Sequence, residues 1–366
     1  LPEEIPVAFT TFMALGAWRL MKMGIVVKQI KTVETLGSAT VICTDKTGTI
    51  TENRMTLAAL YEAKDQKINQ NLSEELSSND KLLVRTAMWA SEPIPFDPME
   101  VALHAVYAKL FTEDERPHYH MQFEYPLEGK PPMMTHVFQD HSGGRIIAAK
   151  GASEALFQVS GLDTEARRHA EEAFIILAGS GYRVLGVAEA IFIGEDFPAR
   201  QQDLSFTFKG LVAFHDPPKQ NIQSVFESFY TAGIAVKIIT GDNAATTHAI
   251  ARQVGFRGSE KSISGEELMK LDEHELRKQV NETSIFTRMF PDAKLRIINA
   301  LKANHEIVAM TGDGINDGPA LKAAHIGIAM GKKGTEIAKQ AASLILVDDD
   351  LGKMVIAVAV GRRIYT

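Results

Sequence analysis

The sequence predicts an α/β protein: a parallel sheet with helices on both faces, interrupted by an inserted α+β domain with an antiparallel sheet. Three observations carry this. Short apolar runs bounded by turns fall into two widely separated blocks: Val41–Thr44 alone, then Val236–Ile239, Ser284–Thr287, Ile307–Met310, Ile326–Ala329 and Leu344–Val347. Helical patterns separate the runs of the second block, as in Asp292–Lys302, where Leu295, Ile298 and Leu301 recur at helical spacing. Strands alternating with helices imply a parallel sheet. The intervening segment differs in character, with a polar stretch at Asp65–Lys81, most of its prolines between Pro93 and Pro132, and strand-like runs at Arg145–Ala149 and Tyr182–Ala188. The parallel sheet needs the first block to complete it, so Thr56–Phe214 reads as an insertion.

In chain order, residues 1–23 read as a partial transmembrane or stalk helix. The run Val7–Trp18 is too short for a full span of about 20 apolar residues, and Trp18, Arg19 and Lys22 suit an interface. A buried core helix is the alternative. Residues 24–55 and 215–350 form the two parts of the parallel domain, residues 56–214 the insertion, and residues 351–366 the start of a further stalk helix. The connections near Arg54 and at Asp216–Lys219 would make a two-stranded hinge whose prolines restrict its motion. With 366 residues, 45% apolar and 23% charged, the chain has room for two cores. A net charge of −7 without a basic stripe excludes nucleic acid as a partner. The one cysteine, Cys43, excludes an intrachain disulfide framework. Its place inside an apolar strand points to packing. His118 and His120 flank Tyr119 and read as polar surface, and the fourteen methionines as core filler.

The chemistry concentrates at Asp45-Lys46-Thr47-Gly48-Thr49-Ile50-Thr51. Asp45 ends an apolar strand, where open α/β sheets place their reactive groups. The lysine, small hydroxyl residues and glycine after it suit a tight loop around an oxyanion. A carboxylate nucleophile in such a loop suggests an aspartyl-phosphate intermediate. Asp313 follows a second strand, so the two carboxylates should meet at one sheet edge. They would repel unless a cation lay between them, and Mg²⁺ prefers carboxylates plus phosphate oxygens. Thr240-Gly241-Asp242 ends a third strand before a helix, offering a hydroxyl and free backbone N–H groups to an anion.

The string from Asp45 to Thr51 resembles the phosphorylation motif of P-type cation-transporting ATPases. The likeness recurs in order at Lys150-Gly151-Ala152, Asp216-Pro217-Pro218, Thr240-Gly241-Asp242-Asn243 and Thr311–Ala320. This resemblance implies a haloacid-dehalogenase-like fold with ATP as substrate and Mg²⁺ as cofactor. It places Asp45, Lys46, Thr47, Thr240, Gly241, Asp242 and Lys294 in catalysis. Asp45, Asp313 and the Thr47 carbonyl would hold the metal, with Asp317 counted among its ligands and Asn316 beside it. Glu100, in Asp97-Pro98-Met99-Glu100, is expected near the adenine; Lys150, Gly151, Arg183 and Arg288 are expected at the nucleotide. One departure concerns the base. Leu127 stands where relatives carry an aromatic and Pro132 where they carry lysine, so stacking shifts to Phe123 or Tyr125 and the charge to Lys130.

Pro2-Glu3-Glu4-Ile5-Pro6 resembles the ion-binding string of calcium-type pumps and makes Glu3 a ligand of the transported ion. Calcium is the first choice, with sodium, potassium, magnesium, manganese and protons open. The resemblance also implies an integral membrane protein with this region facing the cytoplasm. Its partners would be ATP, the cation, further transmembrane helices and an actuator domain of the same polypeptide. Two other readings compete: a soluble phosphatase of haloacid-dehalogenase type and a non-catalytic nucleotide-binding module. Such phosphatases place an acid/base aspartate two residues after the nucleophile, where this chain has Thr47. The complete set of Asp45, Lys294 and Asp313 speaks against the module.

Overall fold

Along Val41–Thr44, successive side chains point to opposite faces of a sheet, and all four are buried. Such a strand must be covered on both sides, which is the situation of a central strand in a parallel sheet. A computed structural model describes residues 4–29, 31–72, 76–129 and 131–363, with the backbone alone for residues 4–9. The chain divides into two units, one of residues up to 53 and from 217 onward, the other of residues 54–216.

The first unit holds an eight-stranded sheet of β1 (Ile25–Val27), β2 (Val41–Thr44), β10 (Ala235–Ile239), β11 (Ser262–Ser264), β12 (Ile285–Thr287), β13 (Val308–Gly312), β14 (Ile326–Met330) and β15 (Leu344–Leu346). Their spatial order is β1-β15-β14-β13-β2-β10-β12-β11. All pairs are parallel except β1 with β15. Side-chain alternation splits the core in two. Ile42, Val236, Ile238, Ala309 and Ile328 pack under helices Ile222–Thr231, Ala244–Gln253 and Gly352–Arg363. Val41, Cys43, Ile239, Val308 and Met310 pack under Glu273–Glu282 and Pro291–Ala303. Each fully buried aliphatic side chain contributes about 1.5–3 kcal/mol, so this sandwich holds the β2, β10 and β13 ends rigidly. Those three strands are neighbours, and their carboxyl ends carry Asp45, Thr240 and Asp313.

The sequence missed β1 and β11, which are only three residues long. The antiparallel β1 also makes the sheet mixed, not wholly parallel. At the amino end a helix spans Glu4–Lys22. Met13 and Leu20 are buried in the first unit's core, while Phe12, Leu15, Trp18 and Met21 are exposed. No helix among the described residues is long and apolar enough to cross a membrane. Glu3 and Lys130 lie outside the described residues.

The second unit is a seven-stranded antiparallel sheet of β3 (Thr56–Glu62), β4 (Lys67–Asn69), β5 (Tyr119–Glu128), β6 (Met133–Asp140), β7 (Arg145–Ala152), β8 (Arg183–Ala190) and β9 (Phe206–His215), ordered β4-β3-β9-β8-β7-β6-β5. Helices Ser78–Trp89 and Pro98–Leu110 cover one face through Leu83, Trp89, Leu103 and Tyr107, against Phe138, Ala148 and Val187. Helix Pro98–Leu110 begins with proline at its first turn, where the missing N–H costs nothing. Asp97 caps it through the Met99 N–H at 2.8 Å.

Candidate active site

Asp45 follows β2, and the loop after it closes tightly. Both the N–H and the hydroxyl of Thr51 donate to the Lys46 carbonyl, at 3.1 and 3.3 Å. Gly48 has φ of +73°, and a Cβ there would lie 2.5 Å from Oδ2 of Asp313. Only glycine serves at this position, because it permits both the backbone conformation and the approach. Below the loop, Thr311 on β13 donates to the Thr44 hydroxyl of β2 at 3.2 Å. Sequence reasoning missed this tie; its only sign was a threonine near the end of each strand.

Two lysines neutralise the site. Lys294, on helix Pro291–Ala303, donates to Asp45 Oδ2 at 2.7 Å and to Asp317 Oδ1 at 2.6 Å. The second Asp45 oxygen accepts from the Lys46 N–H at 2.6 Å. The Lys46 side chain is buried and pairs with Asp242 at 2.6 Å. That contact joins the Asp45 loop to the end of β10. There Thr240 accepts from the Asp242 N–H at 3.2 Å, and the Arg288 N–H donates to the Asp242 carbonyl at 2.9 Å. Gly241 is exposed, and Arg288 is half-buried at φ of +53°. The helix that follows is capped by Asn243 through the Thr246 N–H at 2.9 Å.

Asp317 is engaged through both of its oxygens. Its Oδ1 accepts from Lys294, and its Oδ2 accepts from the N–H groups of Asp313 and Gly314 at 3.2 and 3.1 Å. A carboxylate so engaged ties Lys294 to the β13 loop. Asn316 is exposed on the short turn Ile315–Asp317, and Thr47 is half-buried in extended conformation. The Asp313 carbonyl accepts from the Thr335 N–H at 2.8 Å.

The electrostatics fit a cation. Burial pushes the Asp45 carboxyl above its ordinary value, against the pull of Lys294. Burial, with Asp45 and Asp317 adding to it, pushes Asp313 up to about 7. Lys294 is raised: burial opposes its charge, but Asp45 and Asp317 outweigh it. Asp313 has no ion-pair partner among the described residues. Asp45, Asp313 and Asp317 thus gather carboxylate oxygens of the kind a divalent ion takes.

In the second unit, Lys150 on β7 donates to Glu100 Oε1 at 2.5 Å, to the Ala90 carbonyl at 2.7 Å and to the Ser91 hydroxyl at 2.9 Å. Glu100 Oε2 is buried without a hydrogen-bond partner among the described residues, an acceptor left open. Lys150 pairs across the sheet with Val187, and Arg183 lies four residues before Val187 on regular β8. Arg183, half-buried, thus shares the face of Lys150. Gly151 is a point of close packing, since a Cβ there would meet the Pro132 carbonyl oxygen at 2.6 Å.

Phe123 does not join this group. It pairs with Val137, and Val137 with Ile147, whereas Lys150 pairs with Met134. These residues alternate, so Phe123 lies on the opposite face of the sheet. It stacks on Phe197 at 5.2 Å and meets Tyr125 edge-on at 4.8 Å, beside a cavity of about 750 Å³. Tyr125 is buried and donates to the Pro198 carbonyl at 2.6 Å, and Leu127 is exposed.

A buried aspartate thus follows a central strand of the parallel sheet, bridged by lysine to one carboxylate and facing another across Gly48. The chain belongs to the haloacid dehalogenase-like hydrolases, matching that family over residues 39–325. Within that family it is similar along its whole length to cation-transporting ATPases of the P type. It is 35% identical over 411 aligned residues to the probable cation-transporting ATPase F of Mycobacterium tuberculosis, covering 100% of this chain and 45% of that protein. It is 32% identical over 408 residues to calcium-transporting ATPase 1 of Saccharomyces cerevisiae, covering 100% of this chain and 43% of that one. With the human calcium-transporting ATPase type 2C member 1 it shares 32% over 404 residues, again 100% of this chain and 42% of the relative. The chain thus spans less than half the length of these relatives.

Proposed function

We propose that this chain carries the phosphoryl-transfer and nucleotide-binding region of an ATP-driven cation pump, with calcium as the transported ion. An Asp45 carboxylate oxygen attacks the γ-phosphorus of ATP, the bond to the bridging oxygen breaks, and ADP leaves with that oxygen's electrons. The observation that carries the reading is the Lys294 bridge from Asp45 to Asp317, with Asp313 facing the same loop across Gly48. Lys294 keeps Asp45 ionised and oriented, and supplies positive charge beside the transferred phosphoryl. Thr240, the backbone of Gly241 and the Lys46–Asp242 pair line the third side for its oxygens. Mg²⁺, held by Asp45, Asp313 and the Thr47 carbonyl, would supply charge neutralisation between carboxylates and phosphate. Glu100, Lys150 and Arg183 hold the nucleotide, the open Glu100 oxygen accepting from the base.

Thr47 supports a pump over a phosphatase. A hydroxyl two residues from the nucleophile cannot serve as a general base, so the aspartyl phosphate persists. Water activation and the ion path then belong to an actuator domain and membrane helices of the same polypeptide, with this region on the cytoplasmic side. The calcium assignment rests on the Pro2–Pro6 string and on relatives named as calcium-transporting ATPases. Sodium, potassium, magnesium, manganese and protons are the alternatives a cation screen resolves. The test is phosphorylation from ATP by the full-length protein in membranes, scanned across cations. A hydroxylamine-sensitive label should appear with calcium and vanish in Asp45→Asn. Phosphate release by the purified chain at about 1–10³ s⁻¹ would instead support the phosphatase reading.

A further inference from the structure

One cluster on the second unit has no part in the reaction above. His136, on β6, is fully buried, and neither ring nitrogen makes a hydrogen bond of good geometry among the described residues, although the Ser91 backbone lies close to the ring. An imidazole sealed from water with both nitrogens unpaired is costly unless something else satisfies it. Two carboxylates converge on it. Nε2 lies 3.9 Å from Oε1 of Glu92 and 4.0 Å from Oε1 of Glu124, and the three ligand atoms all lie within 4.8 Å of one another. Those separations are too long for hydrogen bonds. They are somewhat wider than the roughly 3.3–3.6 Å between tetrahedral donors about 2.0–2.2 Å from one ion, so the carboxylates would move inward to bind. Both carboxylates are partly exposed, so a small rotation of either narrows the angle at the ion toward tetrahedral.

The surroundings hold the donors in a binding form. Glu124 pairs with His136 across the β5–β6 ladder, which fixes both on one face. Glu92 directly follows Ala90 and Ser91, whose oxygens are anchored by Lys150. Two carboxylates converging on one buried imidazole form an arrangement that a dication relieves.

We propose that Glu92, Glu124 and His136 form a site for a divalent transition-metal ion, of the zinc, manganese or cobalt kind. One nitrogen and two carboxylate ligands favour such ions over Mg²⁺ and Ca²⁺, which take oxygen alone. Three protein ligands leave a fourth position for water. The site goes beyond the pump reading and is independent of Asp45 chemistry, because its signal is metal binding without nucleotide.

The test is titration of the untagged full chain with Co²⁺, followed by visible absorption, in millimolar Mg²⁺ that fills oxygen-only sites. One Co²⁺ per chain with a tetrahedral spectrum is expected, displaced by Zn²⁺ and unaffected by added Mg²⁺. His136→Gln should abolish the band, and Glu124→Gln should weaken binding by roughly tenfold or more. His120→Asn, outside the cluster, should leave it intact. Glu124 lies at the surface, so its variant tests the proposal even if His136→Gln fails to fold. Unchanged Co²⁺ affinity in Glu124→Gln, or displacement by Mg²⁺, overturns it.

Discussion

Each unit buries a lysine against carboxylate, yet the two lysines respond in opposite directions. Lys294 is shared by Asp45 and Asp317, and its proton is held more tightly than in water. Lys150 meets one carboxylate, Glu100, and two neutral oxygens; burial wins and its pKa falls. The difference is charge count, not depth, since both are almost wholly buried. A lysine serving two carboxylates is a fixed cation in a site with negative charge to spare. A lysine serving one is a balanced pair, whose spare capacity is the free Glu100 oxygen.

The largest effect should come from Lys294→Met. It strands Asp45 and Asp317 in the interior, and breaking a buried pair costs about 3–5 kcal/mol. Denaturant melts should show that loss, and ATP labelling of Asp45 should disappear with it. Lys150→Met strands only Glu100, so its cost should fall at the lower end of that about 3–5 kcal/mol range. Adding Glu100→Gln to it should restore part of the loss. If the Lys150 variant is the less stable of the two, charge count does not govern the contrast. Arg183→Ala sharpens the comparison from the other side, because Arg183 is half-buried and shares the Lys150 face. It should raise the ATP dissociation constant by roughly tenfold, about 1.4 kcal/mol, with little change in melting. An equal drop in melting temperature would make Arg183 structural. The smallest effect concerns Cys43, buried beneath the Asp45 loop, whose thiol burial pushes up to about 12. It should resist alkylation in the native chain and react once denatured, and rapid native labelling would show that β2 opens.

The first site was legible because its chemistry is written contiguously. Asp45 to Thr51 is one loop, and Asp313 to Asp317 another, each set by a strand whose apolar run is plain. What stayed hidden depends on pairing. Phe123 is aromatic and well spaced, but the β5–β6 register turns it away from Lys150, and register cannot be read from one strand. The strand itself was missed: Tyr125 is its one fully buried residue and Pro126 lies within it, as an edge strand allows. The hydrogen bonds that Asp317 accepts from Lys294 and from the Asp313 and Gly314 N–H groups are likewise encoded by no motif. His136 shows the same lesson in reverse. His118 and His120 were conspicuous because they are two apart, yet no metal cluster among the described residues includes them. His136 finds its carboxylates 44 and 12 residues upstream, through a helix-end loop and a strand pairing.

The closure of the second unit on itself has a practical consequence. The Arg54 N–H donates to Asp216 Oδ1 at 3.1 Å, and Thr56 pairs with His215, so its first and last strands lie zipped side by side. In the first unit, Glu52 donates to the Pro217 carbonyl and Lys219 to that of Ile50, both at 2.9 Å. Each unit therefore carries its own seam where the other is spliced in. Residues 54–216 should be excisable as a cassette whose ends can be ligated into a circle, or exchanged for that of a relative without disturbing the Asp45 loop.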